Sequence, residues 1–158
     1  MNDTTVTASM LIRRGAAEIF AAFVDPDTLC RFWLDSASAP LAPGATVEWR
    51  FKVPGVSDQV TVTRFEPPCR LSLRFSDGQE VALSFDIHDG DATRVEARCT
   101  GFPDENLLAH ATNTVEGFSV VLCDLKTLLE TGRSANLTRD KAALIARKMA
   151  GPAGSPGA

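Results

Sequence analysis

Residues 107–130 read LLAHATNTVEGFSVVLCDLKTLLE and contain no proline. Apolar side chains recur in this stretch in steps of three and four, a spacing that places them on one face of an α-helix. These positions are Leu108, Ala111, Val115, Phe118, Leu122, Leu125 and Leu129. The spacing predicts one amphipathic helix, about 36 Å long at 1.5 Å per residue. Thr131 and Gly132 follow, and we expect the helix to end there because glycine is a common C-cap.

The middle of the chain has a different period, since apolar and polar side chains alternate along short segments. Alternation of this kind is typical of strands with one buried and one solvated face. Turn signals such as Pro54-Gly55 and Asp77-Gly78 separate the segments, and such short links join antiparallel neighbours. The predicted strands are residues 5–12, 46–53, 59–65, 71–75, 81–87 and 93–99. The sequence therefore predicts a curved six-stranded antiparallel sheet wrapped around the long C-terminal helix, an α+β fold.

Two short helices are predicted after the first strand. In the first, Ile19, Phe20 and Phe23 have helical spacing before Pro26 ends the turn. In the second, residues 28–33, Asp25 is placed to cap the free N–H groups. Residues 35–44, DSASAPLAPG, have the serine, proline and glycine content of a loop.

A further short helix is predicted near the C-terminus. Thr138 is a candidate N-cap, and basic side chains make this helix locally positive on an acidic chain: Arg139, Lys141, Arg147 and Lys148. Its apolar face consists of Ala142, Ile145, Ala146 and Met149, and we expect that face to pack on the same domain or on a dimer mate. The predicted organisation is a domain over 1–133, the basic helix over 134–150 and a disordered tail over 151–158.

Composition narrows the class of protein. The chain has 158 residues, 44% of them hydrophobic and 23% charged, which is ordinary for one globular domain. A net charge of −4 gives no basic field for nucleic acid, and no apolar run reaches the ~20 residues of a membrane-spanning helix. The four cysteines form no CxxC pair, and the first residues lack a signal-peptide pattern. We therefore expect reduced thiols and a cytoplasmic location.

Three stretches carry a resemblance to a known family: AAEIFAAFVDPDTLCRFW at 16–33, PPCRLSLRF at 67–75 and GFSVVLCDLKTLLETG at 117–132. With the element order, they resemble the START-like (helix-grip, SRPBCC) superfamily, and within it the group similar to the heat-shock-protein-90 ATPase activator homologue. The resemblance covers residues 5–132. It implies a cavity between sheet and helix suited to apolar or amphipathic small molecules, in a superfamily that includes carriers, receptors, cyclases and cochaperones.

Aromatic and aliphatic side chains on the inward faces are the candidate ligand-binding residues. They either fill a packed core or border the cavity that the resemblance implies. The candidates are Trp33, Trp49, Phe51, Phe75, Phe85, Ala111, Val115, Phe118 and Leu122. A mid-helix glycine costs about 1 kcal/mol relative to alanine, so Gly117 indicates a close approach to the sheet or a bend, the alternative being a glycine that the helix simply tolerates.

Motifs for metal, nucleotide or hydrolase chemistry are not found. The chain has two histidines, His88 and His110, and neither has a cysteine or histidine at ligand spacing. Asp86, Asp89 and Asp91 surround one hairpin turn but do not match a calcium loop. No GxxxxGK[ST], GxGxxG or GxSxG motif occurs. No catalytic residue, metal or cofactor is therefore expected.

Three functions remain open from the sequence. The first is a non-enzymatic module that binds an apolar small molecule in the cavity. The second, implied by the resemblance, is a cochaperone-like protein in the stress response that meets a chaperone or a homodimer partner through its C-terminal helix. The third is a cyclase-type or hydrolase-type enzyme, which would need ionisable side chains facing the cavity.

Overall fold

Seven strands form one antiparallel sheet in the computed structural model, which describes residues 2–154. Their order across the sheet is β1-β7-β6-β5-β4-β3-β2, so β1 pairs with the last strand and the others follow in a meander. The strands are β1 Val6–Ile12, β2 Leu34–Ala37, β3 Thr46–Phe51, β4 Ser57–Glu66, β5 Arg70–Phe75, β6 Glu80–Asp89 and β7 Ala92–Thr100. The predicted α+β fold with an antiparallel sheet is confirmed.

The prediction of six strands is wrong by one. β2 ends inside the stretch predicted as a loop, and it pairs with β3 through Leu34 and Phe51 and through Ala37 and Trp49. Its register shifts between Leu34 and Ser36, and Leu34 is its only buried residue. A four-residue edge strand with one buried side chain is too short to show alternation, so its pairing with β3 defines it.

Two short helices follow β1 as predicted, α1 Ala16–Val24 and α2 Pro26–Phe32. Asp25 caps α2, because its Oδ2 atom accepts hydrogen bonds from Thr28 N at 3.1 Å and Thr28 Oγ1 at 2.7 Å. These hydrogen bonds hold the pKa of the Asp25 carboxyl below its ordinary value. The cap predicted from the sequence is therefore confirmed.

The long helix α3, Leu107–Thr131, is confirmed, but its two halves differ in burial. The buried side chains all lie in the C-terminal half, which packs against β1 and β7: Val121, Leu122, Asp124, Leu125 and Leu128. Leu108, the first position of the predicted stripe, is 78% exposed. Gly132 ends the helix with φ 80° and donates its N–H to the carbonyl of Leu128.

The last helix, α4 Leu137–Gly154, packs on α3 and α2. Thr138 does not cap it, contrary to the prediction, because Thr138 lies within the first turn. Its hydroxyl donates to Phe32 O at 2.6 Å instead. The helix also runs four residues past the predicted end, so part of the predicted tail belongs to α4, and residues 155–158 lie outside the described chain. Of the predicted apolar face, Ala142 is buried, whereas Met149 is 65% exposed.

Aromatic rings fill the space between α1, α2 and the sheet. Phe23 is fully buried and lies edge-on to Phe32, with ring centroids 5.4 Å apart, and to Trp33 at 6.0 Å. Phe20 meets Phe85 at 5.6 Å in a similar arrangement. Such edge-to-face pairs add modestly to the free energy of burial. Within residues 2–154, none of the helices combines the length and apolar character needed to cross a bilayer.

Candidate functional site, a cavity between the sheet, α3 and α4

A cavity of about 450 Å³, here called the large cavity, lies where the N-terminal half of α3 faces the sheet. Strand residues Phe51 and Phe75 form one side, and Gly117 and Phe118 of α3 form another. Ala142 and Ile145 of α4 supply a third wall. The rim reaches solvent at Val56 and Ile145, which are 37% and 39% exposed. A space of this size and lining is typical of sites for small apolar molecules.

The nine predicted ligand-binding residues do not share one environment. Four of them line the large cavity: Trp33, Phe51, Phe75 and Phe118. Three are core residues with exposures of 2% or less and are not part of its lining: Trp49, Phe85 and Leu122. Ala111 and Val115 are half-buried on α3 and also lie outside the lining. Alternation identified the correct face of each strand but did not show how deep each side chain lies.

Gly117 faces open space. A Cβ atom built at this position would meet no atom within 4 Å, apart from its own helical surroundings. The predicted close approach of α3 to the sheet is therefore wrong. The missing side chain instead leaves room in the lining of the large cavity.

Trp33 connects the large cavity to the core. It is 7% exposed, and its ring lies 4.9 Å from that of Trp49 and 5.4 Å from that of Phe118, both edge-on. One side of this contact network is fully packed, because Trp49 has no exposed surface. The other side is the half-buried Phe118 at the cavity wall. A molecule bound in the cavity would therefore contact rings held in place by the core.

Four charged side chains that sequence reasoning did not assign to a site also line the large cavity: Lys52, Asp58, Asp77 and Lys141. Lys141 pairs with Glu116 of α3 at 3.0 Å. Asp58 Oδ1 accepts the backbone N–H groups of Gln59 and Ser76. These contacts hold the charged groups of Lys141 and Asp58 in place beside the apolar part of the lining.

The alternation over residues 46–53 would place Lys52 on the solvated face of its strand, but β3 ends one residue earlier, at Phe51. Lys52 is half-buried, and its Nζ atom donates to the carbonyl of Cys30 at 2.9 Å. Burial lowers the pKa of Lys52, and the nearby positive charge of Arg139 lowers it further. Only the tertiary structure could reveal this position, because the alternation continues through residue 52.

The acidic turn and the histidines are separate from the large cavity. Asp86 pairs with Arg70 at 3.1 Å on the sheet surface, and His88 and His110 are exposed. Within the described part of the chain, no three histidine, cysteine, aspartate or glutamate side chains are arranged to hold a metal ion.

The family described as "Activator of Hsp90 ATPase homolog 1-like protein" matches residues 14–130, which is most of the chain. The chain belongs to this family. The resemblance to the heat-shock-protein-90 ATPase activator group of the START-like superfamily is thereby confirmed. No curated protein matches the chain.

Solved structures share the fold of this activator-homologue-like domain. The Staphylococcus saprophyticus protein SSP2350 superposes with a TM-score of 0.74 at 21% identity, covering 83% of this chain and 95% of that one. The Aha1 dimer from Colwellia psychrerythraea superposes with a TM-score of 0.73 at 20% identity, covering 83% and 99%. The AHSA1-like protein from Aeromonas hydrophila gives 0.65 at 22% identity, covering 82% and 94%.

The activator-homologue-like segment ends at residue 130, before α4 begins at Leu137. Gly117 and Phe118 of the large cavity lie inside the matched segment. Lys141, Ala142 and Ile145, which form the third wall, lie beyond it. The large cavity therefore combines the family domain with a helix outside the family match.

Proposed function

We propose that this protein is a non-enzymatic binding module that holds an apolar or amphipathic small molecule in the large cavity. The observation that carries this proposal is the open space at Gly117, bordered by the rings of Phe51, Phe75 and Phe118. Aromatic rings supply contact area at low entropic cost, and the charged groups at the rim can orient a polar end. The free cysteines support a cytoplasmic location as part of the same proposal.

Filling the cavity tests the proposal. A Gly117→Phe variant places a ring in the open space, and we expect it to abolish the fluorescence enhancement of an environment-sensitive apolar dye. Ser119→Phe is the matched control, because Ser119 is exposed on the same helix and outside the lining. Native mass spectrometry of the wild-type protein purified from its own host would then show whether a ligand is retained.

Three outcomes would count against the proposal. In the first, the wild-type protein binds no dye and retains no ligand. In the second, Gly117→Phe binds dye as well as Ser119→Phe does. The third is a turnover reaction in the large cavity, which would support the cyclase or hydrolase alternative. Such a reaction would be expected to involve Lys52, because burial shifts the pKa of this lining residue.

A cochaperone-like interaction is the second candidate function. The family description names an activator of the Hsp90 ATPase, and the Colwellia psychrerythraea neighbour is described as a dimer. On α4, Leu144 and Met149 are 64% and 65% exposed and are available to a chaperone or a second copy. Stimulation of Hsp90 ATPase turnover by the wild-type protein, lost in a Leu144→Ser, Met149→Ser variant, would support this function. No stimulation at all would exclude it.

A further inference from the structure

A second cavity, here called the small cavity, has a volume of about 210 Å³ and lies where α2, α3 and the start of α4 meet. Cys30 and Arg31 of α2 line it, as do Asp124 of α3 and Arg139 of α4. Its lining is mainly polar, in contrast to the large cavity. Lys52 belongs to the lining of both cavities and is the residue they share.

Positive charge predominates in the small cavity. Arg31, Lys52 and Arg139 face one carboxylate, Asp124. Within the described chain, none of these three cations has a carboxylate oxygen within 4.0 Å, the distance that defines an ion pair. Lys52 and Arg31 donate to backbone carbonyls, those of Cys30 and Gly132 respectively.

Asp124 does not neutralise this charge through a direct contact. Its two oxygens accept hydrogen bonds from Ser134 Oγ at 3.3 Å and from Thr138 N at 3.0 Å. Because Thr138 lies in the first turn of α4, Asp124 occupies the end of that helix where the dipole favours an anion. Burial lowers the pKa of Lys52 and the charge of Arg139 lowers it further, whereas the carboxylates of Asp35 and Asp124 oppose this shift without cancelling it.

We propose that the small cavity binds a phosphate-type oxyanion through Arg31, Lys52 and Arg139. Guanidinium groups match the oxygens of such an anion in pairs, and an ammonium adds a point charge. The anion has two possible sources, a free phosphate compound or the head of an amphiphile whose chain occupies the large cavity through the shared Lys52. The first source is independent of the function proposed above, whereas the second rests on it.

The experiment titrates the full chain with inorganic phosphate while two-dimensional amide NMR spectra are recorded, with chloride of equal ionic strength as the blank. We expect shifts concentrated at Arg31, Lys52, Asn136 and Arg139. Arg139→Gln should weaken binding about tenfold or more, since a hydrogen bond to a charged group contributes at least that factor. Arg147→Gln is the matched control, because Arg147 lies exposed on the same helix and away from the cavity.

A second arm uses dodecyl phosphate below its micelle concentration. If the anion is an amphiphile head, dodecyl phosphate will bind more tightly than phosphate and displace the apolar dye, and Gly117→Phe will reduce its affinity to that of phosphate. If the anion is free, the two affinities will match and the dye will stay bound. Either result supports the anion site and identifies its source.

Two results would overturn the anion site. One is the absence of localised shifts with both phosphate compounds at millimolar concentration. The other is an equal loss of affinity in Arg139→Gln and Arg147→Gln, which indicates only a diffuse charge effect. Lys52→Gln provides a second variant if Arg139→Gln fails to fold, as judged by its melting curve. Phosphate shifts without dye binding would retain the anion site while removing the proposed apolar function.

Discussion

The backbone N–H of Thr138 donates a hydrogen bond to the buried carboxylate of Asp124 at 3.0 Å, so a side chain of α3 caps the first turn of α4. Replacing Asp124 with alanine leaves this donor and the Ser134 hydroxyl without their acceptor. We expect a loss of about 1–3 kcal/mol in the free energy of unfolding, measured by urea titration. Asp140→Ala is the control, since Asp140 is exposed and contributes only through the helix dipole, about 0.3–1 kcal/mol. Equal losses would contradict the capping role.

Gly117 and Gly101 form a matched pair for alanine substitution. Gly117 lies inside α3, and an added Cβ there meets open space, so Gly117→Ala should stabilise the protein by about 1 kcal/mol. Gly101 has φ +82°, and its added Cβ would collide with the carbonyl oxygen of Gly78. Gly101→Ala should therefore destabilise by at least ~1–2 kcal/mol. Urea unfolding measures both, and a destabilised Gly117→Ala variant would mean that the large cavity is narrower than described.

Phe118 and Phe23 test whether the large cavity differs from the packed core. Phe23 is fully buried among aromatic rings, so Phe23→Ala should cost about 3–5 kcal/mol through lost burial and a residual void. Phe118 borders existing space, so Phe118→Ala should cost clearly less while weakening dye binding. Equal losses of stability, with unchanged dye affinity, would show that Phe118 behaves as a core residue.

The lowered pKa of the Glu130 carboxyl predicts how the stability of the fold depends on pH. Burial alone would raise this pKa, but the hydrogen bonds and charges of Lys126 and Arg13 outweigh burial and lower the pKa below its ordinary value. Lys126 Nζ donates to Glu130 Oε2 at 2.7 Å, and Arg13 N donates to it at 2.8 Å. A carboxyl with a lowered pKa stabilises the fold above its ordinary pKa, and this contribution is lost as the pH falls through the lowered value.

The corresponding measurement is urea unfolding of wild-type protein and Glu130→Gln between neutral pH and pH ~3. The two stabilities should differ at neutral pH and converge as the pH falls. Glu105→Gln, at an exposed position, controls for the general effect of removing a charge. A wild-type stability that stays parallel to that of Glu130→Gln over this range would contradict the assignment.

The sequence predicted the periodic elements well, because their signals are local. Alternation along β3 to β7 and the long stripe of α3 come from burial of one face, and burial repeats with the period of the backbone. The edge strand β2 could not be predicted in the same way, since Leu34–Ala37 owes its conformation to pairing with residues 49–51. Leu108 was misassigned because periodicity shows which face a residue occupies but not where the partner surface ends.

The candidate site was only partly predictable for a related reason. Trp49 and Phe51 share one face of β3, yet Trp49 is fully buried and Phe51 borders the large cavity. Their difference in depth depends on packing by α3 and α4, which lie far away along the chain. Asp124 could not be recognised in this way, because it lies two residues after Leu122 and off the apolar stripe, and its burial depends on the packing of α4 against α3.

Because α4 contributes one wall of the large cavity, one part of the chain forms the core and a later part completes the cavity. Residues that establish the sheet and its aromatic core precede residue 131, whereas Lys141, Ala142 and Ile145 come from a later segment. Substitutions in that later segment can reshape the large cavity while leaving the sheet and its aromatic core unchanged. The shape of the large cavity is thereby separable from the packing of the core, and a chain cut just after Gly132 would lack the wall that α4 supplies.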